Sequence, residues 1–428
     1  MKAADLLLAA LVTLPGAAAY GDGNEDAQKC AELSASSTSG LATVYSDDAS
    51  AAFFAAQAVG YCTRAIESGQ LPPPLLANTL VLRGLWIRHQ SPDRGIADFD
   101  AALKINPDFA QVYSLRGLTY AQKGDLDKAI ADFDNAVRLN PQDAPSRSMR
   151  GFSWQQKGDL ARALADYDAA LQINPQDAET RTLRGTVLLQ KGNLEKAMAD
   201  FDQSIRQRPQ DAQAYFNRGV AHAQKGELDQ ALADFNAVLR IEPGHAQAFF
   251  NRGVTWEQKN DLDRALADYD AAIRADSRFA EAYTNRGVIL GKKGRLDKAI
   301  AEFDTAIRVN PLYADAYYNR GIAFEKKDDT DRAVADYDAA LRINPANALA
   351  YYHRALAFDK KGDVDRAIAD YDAAIRIDPQ YALAYFNRGQ AWRRKGNLER
   401  AAADFDAATR LSHSQGMAGP LRSPANSR

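Results

Sequence analysis

Apolar side chains recur through most of this chain at the three-and-four spacing that lays one stripe along a helix. Between Ala212 and His245, Tyr215, Gly219 and His222 fall on one face of a first segment, and Ala231, Phe235 and Val238 on one face of a second. Lys225-Gly226 separates them, since glycine enters the left-handed conformation without strain and the polar residue after it can cap the next helix. Pro243 closes the second segment, because the residue before a proline is pushed out of the helical region. The pattern predicts a hairpin of two helices of about 13 residues, each ~20 Å long at 1.5 Å per residue.

The hairpin recurs with a step of 34 residues. Prolines stand at 107, 141, 175, 209, 243, 311, 345 and 379, with Ser277 in the vacant slot. Arg-Gly pairs keep the same register from Arg116-Gly117 to Arg388-Gly389, with Arg354-Ala355 as the exception, and so does an Asp-aromatic-Asp triplet such as Asp132-Phe133-Asp134. Three markers in one register define an internal repeat. No single hairpin can bury its apolar face alone, so neighbours must share a core.

Counted from the alanine that opens each unit, the pattern resembles the tetratricopeptide repeat (TPR) family: an aromatic at position 4, Gly at 8, an aromatic at 11, Ala at 20, an aromatic at 24 and Pro at 32. Those places hold Tyr215, Gly219, His222, Ala231, Phe235 and Pro243 in one unit, and Phe249, Gly253, Trp256, Ala265 and Tyr269 in the next. The resemblance covers ten units, residues 76–413. It implies an all-α solenoid, a right-handed superhelix of helical hairpins whose first helices line a concave groove through positions 2, 5, 6, 9, 12 and 13. One departure is systematic, since the family's usual Leu at position 7 is Arg here, from Arg116 through Arg388.

The ends differ from the middle. Position 21 is aliphatic from Ile130 to Ile368 but Ala402 in the last unit, and position 28 is a branched aliphatic until Thr409. These positions would face a following unit, so the array is expected to be capped there, with 414–428 reading as a disordered tail. Leu75 to Pro107 is a shortened unit, and Asp48 to Ser68 reads as a further helix covering its open face within an irregular segment, 20–75.

Residues 1–19 look like an export signal: Lys2, an apolar run from Leu6 to Leu14, Pro15-Gly16, then small residues permitting cleavage after Ala19. That run is too short to span a membrane. The mature chain is then expected in the periplasm or secreted; the other reading is a frayed N-terminal helix of a cytoplasmic protein. Export would make the two cysteines, Cys30 and Cys62, a disulfide, the alternative being two buried thiols. They offer no cluster for a metal.

Across 428 residues, 53 Lys and Arg against 56 Asp and Glu give a net charge of −3, which argues against nucleic-acid binding because phosphate neutralisation needs surplus clustered cations. No GxxxxGK[ST], GxSxG or HExxH motif occurs, and the Asp-aromatic-Asp pairs recur too often for one active site. No enzyme activity and no cofactor are expected. The second Asp of each triplet stands four residues before an Arg (Asp134 and Arg138, Asp202 and Arg206), which predicts helix-stabilising pairs. The position-7 Arg is expected across the first Asp of its own second helix; a cationic row for an acidic ligand is the other reading.

Position 6 carries the functional candidate. It reads Leu115, Met149 and Leu183 early in the array, then Asn217, Asn251, Asn285, Asn319, His353 and Asn387. Such a series resembles the asparagine ladder in the TPR superhelix of the O-linked N-acetylglucosamine transferase, which implies an extended peptide held by its main chain. A carboxamide suits that task because it donates and accepts, and at ~10 Å between helices one Asn meets about every third residue of a strand. Phe216, Phe250, Tyr318, Tyr352 and Phe386 at position 5 form an apolar stripe beside it. The competing reading has these asparagines bonding neighbouring side chains across repeats. The expected partner is a protein or peptide, with self-association through convex faces, in envelope assembly, as the alternative.

Overall fold

The computed structural model describes residues 25–38 and 48–414, and there the chain is helical throughout, in 22 helices. The expected leader and C-terminal tail lie outside the described residues. The helices fall into two compact units, divided at Lys225–Gly226.

Many of the helices start at a side-chain cap. Asp125, Asp143, Asp159, Asp177, Asn193, Asp261, Asp329 and Asp363 accept a hydrogen bond from a backbone N–H of the first turn, the N-cap role. His245 fills it through Nδ1, which accepts from Ala248 N at 3.1 Å. The turn within a hairpin passes through the left-handed region, mostly at glycine, but Asn260 and Asp328 take φ values of 60° and 61° at the same place. The second helices stop at an extended residue whether or not proline follows: Asp276, before Ser277, has φ −137° and ψ 103°, matching Asn310 before Pro311.

Inside a hairpin the helices approach through position 8. A Cβ on Gly151 would lie 3.0 Å from the Tyr167 ring and one on Gly321 2.6 Å from the Tyr337 ring, so glycine there lets the position-24 aromatic lie flat against the first helix. Neighbouring first helices also touch one another, as 178–190 does 212–224 in the first unit and 280–292 does 314–326 in the second. That places the first helices on the tighter side of each stack.

The position-7 arginine ties three helices together. Arg116 donates through Nε (2.8 Å) and Nη2 (2.7 Å) to the two carboxylate oxygens of Asp132 in its own hairpin, and through Nη1 (2.5 Å) to Asp100 of the preceding one. Arg150, Arg184, Arg320, Arg354 and Arg388 repeat this. Bidentate geometry makes these strong pairs, and the hydrogen bonds that Arg116 donates to Asp132 raise its guanidinium above its ordinary value. The expected i, i+4 pairing is corrected here: Asp134 pairs with Arg150 and Asp202 with Arg218, each in the next repeat, instead of with Arg138 and Arg206. A guanidinium held by one buried carboxylate has a donor pointing at the neighbouring helix, and that donor captures the second aspartate.

At the N-terminal end, helices Glu25–Thr38 and Asp48–Glu67 are joined by a disulfide between Cys30 and Cys62, both fully buried. They cover the shortened repeat, Pro73–Ile105. Ile66 packs on the Val81 and Phe99 core, Trp86 donates to Ser34 at 3.0 Å, and Arg83, bidentate on Asp98, points Nη1 at Thr63 at 3.4 Å. Thr63 thus stands where a preceding repeat would supply its aspartate.

Candidate binding face

In the second unit the first-helix asparagines share one register but not one environment. Asn251 and Asn319 are half-buried and donate through Nδ2 to the carbonyl four residues back, Gln247 O at 2.9 Å and Asp315 O at 2.8 Å. Asn285, also half-buried, donates to the Tyr269 hydroxyl at 3.3 Å. In all three, the carboxamide oxygen takes no hydrogen bond from the described residues. Asn387 is 4% exposed and donates to the Tyr352 hydroxyl (2.9 Å) and Leu383 O (3.0 Å). Across the series, then, the structure combines open carboxamides with the cross-repeat bonding that was the competing expectation.

His353 departs from the series. Its Nδ1 lies 3.1 Å from Glu325, its ring meets Tyr318 edge-on at 5.8 Å and Tyr352 at 5.5 Å, and the Tyr337 hydroxyl donates to the same glutamate at 2.7 Å. Burial pushes the Glu325 carboxyl up, but the His353 and Tyr337 hydrogen bonds outweigh it and hold the group below its ordinary value. An ionised carboxylate only accepts, so Nδ1 carries the proton. Burial pushes the Tyr318 and Tyr352 phenols up to about 12, which keeps them neutral.

The position-5 aromatics separate in the same way. Phe250, Tyr318 and Phe386 are half-buried, whereas Tyr352 is 2% exposed and stacks on Tyr381 at 4.8 Å. Phe250 packs on Phe279 at 4.9 Å.

The first unit fills these slots differently. Position 5 holds Ser114, Ser148 and Thr182, all buried, and position 34 holds aspartates instead of rings. The Ser114 and Ser146 hydroxyls lie 2.5 Å apart, Ser146 donates to Asp143 at 2.7 Å, and Thr182 lies 2.7 Å from Ser204 and 3.2 Å from Asp211. Asn217, 7% exposed, donates to Thr186 of the preceding repeat at 2.8 Å and accepts from Gln213 at 3.0 Å. Phe216 is half-buried beside it.

One signal was present in the sequence and not used. Wherever position 24 is Tyr instead of Phe, position 12 is Gln, Glu or Asp: Tyr167 donates to Gln155 (2.9 Å), Tyr269 to Glu257 (3.1 Å) and Tyr337 to Glu325. These pairs place acids on the first-helix face.

Among the described residues no His, Cys, Asp and Glu group is placed to hold a metal, and no helix is long and apolar enough to cross a membrane.

Comparison with known proteins agrees with the repeat. Tetratricopeptide repeat models match residues 110–143 and, in overlapping segments, 154–278 and 284–415. No curated protein sequence matches. Among solved structures, the chain is similar to MamA (28% identity, 38% of this chain and 96% of that one, TM-score 0.36). It is also similar to YrrB, described as a TPR protein with an unusual peptide-binding site (26% identity, 43% and 95%, TM-score 0.36). A tetratricopeptide repeat protein from Parabacteroides merdae is 21% identical over 60% of this chain and 98% of that one, with a TM-score of 0.47. With its period, hairpin geometry and family-model matches in one register, the chain belongs to the tetratricopeptide repeat family.

Proposed function

We propose that this chain is a non-enzymatic protein-interaction scaffold. In this reading the first-helix face of the second unit holds an extended segment of a partner, with Asn251, Asn285 and Asn319 on its main chain. The observation that supports it most is the row of open carboxamide oxygens at one register in three successive repeats. An oxygen with no bond from the described residues can accept a peptide N–H, and the second Nδ2 hydrogen can donate to a peptide carbonyl. Phe250 and Tyr318 beside the row give the segment's side chains apolar surface. Asn387 and Tyr352, buried and already bonded, brace the face instead of touching the ligand.

The disulfide fits an oxidising compartment, so the partner is sought among exported proteins. The test changes Asn251, Asn285 and Asn319 to Ala together in the full chain. Partner capture from an envelope extract is lost while the helical circular dichroism is kept; capture equal to that of the unchanged chain overturns the proposal.

A further inference from the structure

On the reading that this face holds an extended segment, we propose that Glu325, His353 and Tyr318 form a subsite for one basic side chain, arginine or lysine, of that segment.

Three carboxylates occupy position 12 in the second unit, and two are answered by the position-13 cation of the following repeat. Lys292 bonds Glu257 at 2.8 Å, and Arg394 pairs with Asp359. The cation matching Glu325 is Lys360, and it turns away to Asp328 at 2.7 Å. Asp328 can take it because it occupies the left-handed turn position where most repeats have glycine with no side chain to offer. Glu325 is left with two hydrogen-bond donors, the Tyr337 hydroxyl and the His353 Nδ1–H.

The carboxylate is reachable: the side chains of Glu325 and His353 are 33% and 23% exposed. Tyr318 lies against His353, so a cation meeting Glu325 also meets aromatic surface. A guanidinium or ammonium group gains a charge-assisted hydrogen bond and a ring contact there, while an acidic side chain would meet a like charge. His353 is the position-6 residue of the repeat after that of Asn319, which puts the site beside the main chain of the held segment.

The test uses two pools of fluorescein-labelled dodecapeptides, random except for a fixed central residue, arginine in one and norleucine in the other. Each is titrated with the full chain and read by fluorescence anisotropy. The arginine pool is expected to bind about tenfold more tightly, the scale of one charged hydrogen bond. Glu325→Gln brings it to the norleucine level. Asp328→Gly, which puts the common glycine into the turn and frees Lys360 to pair with Glu325, lowers the same preference without touching the carboxylate. Equal binding of the two pools, or an arginine preference unchanged in both variants, overturns the subsite and leaves the peptide-holding face standing. Binding of neither pool overturns the face, and the subsite with it.

Discussion

The repeats opened by Ala144 and Ala178 and those opened by Ala314 and Ala348 share one skeleton and differ in what fills it. Arg150 and Arg184 clamp their aspartates as Arg320 and Arg354 do, and Tyr167 lies on Gly151 as Tyr337 lies on Gly321. Between positions 5 and 34, however, the Ala178 repeat sets a buried hydroxyl against an aspartate, Thr182 on Asp211, and the Ala348 repeat sets ring on ring, Tyr352 on Tyr381. The lesson is a division of labour within 34 residues. Positions 7, 8, 23 and 25 hold the stack together and hardly vary, which leaves the first-helix face to vary in chemistry without cost to the fold.

If the skeleton is common, breaking it costs the same in either region. Arg150→Ala and Arg320→Ala each strand a buried aspartate and should each lower stability by about 3–5 kcal/mol in urea unfolding. A large loss in one and a small loss in the other would show that the two stacks are held differently. Opening the N-terminal bridge with Cys30→Ser and Cys62→Ser should cost about 2–4 kcal/mol. Hydrogen exchange should then rise in 25–67 and the shortened repeat, with 314–394 unchanged, because repeat stability is passed between neighbours.

Smaller changes sharpen the contrast in filling. Thr182→Val removes hydroxyl contacts to Ser204 and Asp211 and should cost about 1–2 kcal/mol. In the second unit, Glu302 replaces the clamp's aspartate; it reaches only Nη2 of Arg286 at 2.6 Å, and Nε stays buried with no partner among the described residues. Glu302→Asp should restore the second bond and stabilise by about 1 kcal/mol, read as a higher urea midpoint.

The Glu325 cluster adds a pH signature. Its carboxyl is held below the ordinary value in the folded state, so it contributes stability above the unfolded-state pKa of about 4.3, and that stability is lost as pH falls through the lower, folded value. The stability gap between wild type and Glu325→Gln should therefore be widest at neutral pH and shrink on acidification. A gap independent of pH would deny Glu325 this role.

Much of this was legible in the sequence because a repeated pattern reports on itself: the 34-residue step, the helix ends, and the arginine lying across the first aspartate of its own hairpin. The second aspartate was misread because its i, i+4 neighbour is visible along the chain, while its true partner, 16 residues ahead, appears only once hairpins stack. The candidate site was half legible. Register put the asparagines on one row, but whether a carboxamide is open depends on neighbours in other repeats, Thr186 for Asn217 and Tyr352 for Asn387. Likewise, Tyr352 is buried by Tyr381, a position-34 ring whose partner the sequence does not announce.

The most direct measurement places a photoreactive residue at Tyr318 in one sample and at Phe152, on the first-helix row of the Ala144 repeat, in another. Both are illuminated in envelope extract, and the cross-linked polypeptides are mapped by mass spectrometry. The account predicts one partner segment joined at Tyr318, absent when Asn251, Asn285 and Asn319 are alanine, and little at Phe152. Equal cross-linking at the two places, or a Tyr318 product that survives the alanine changes, would contradict it.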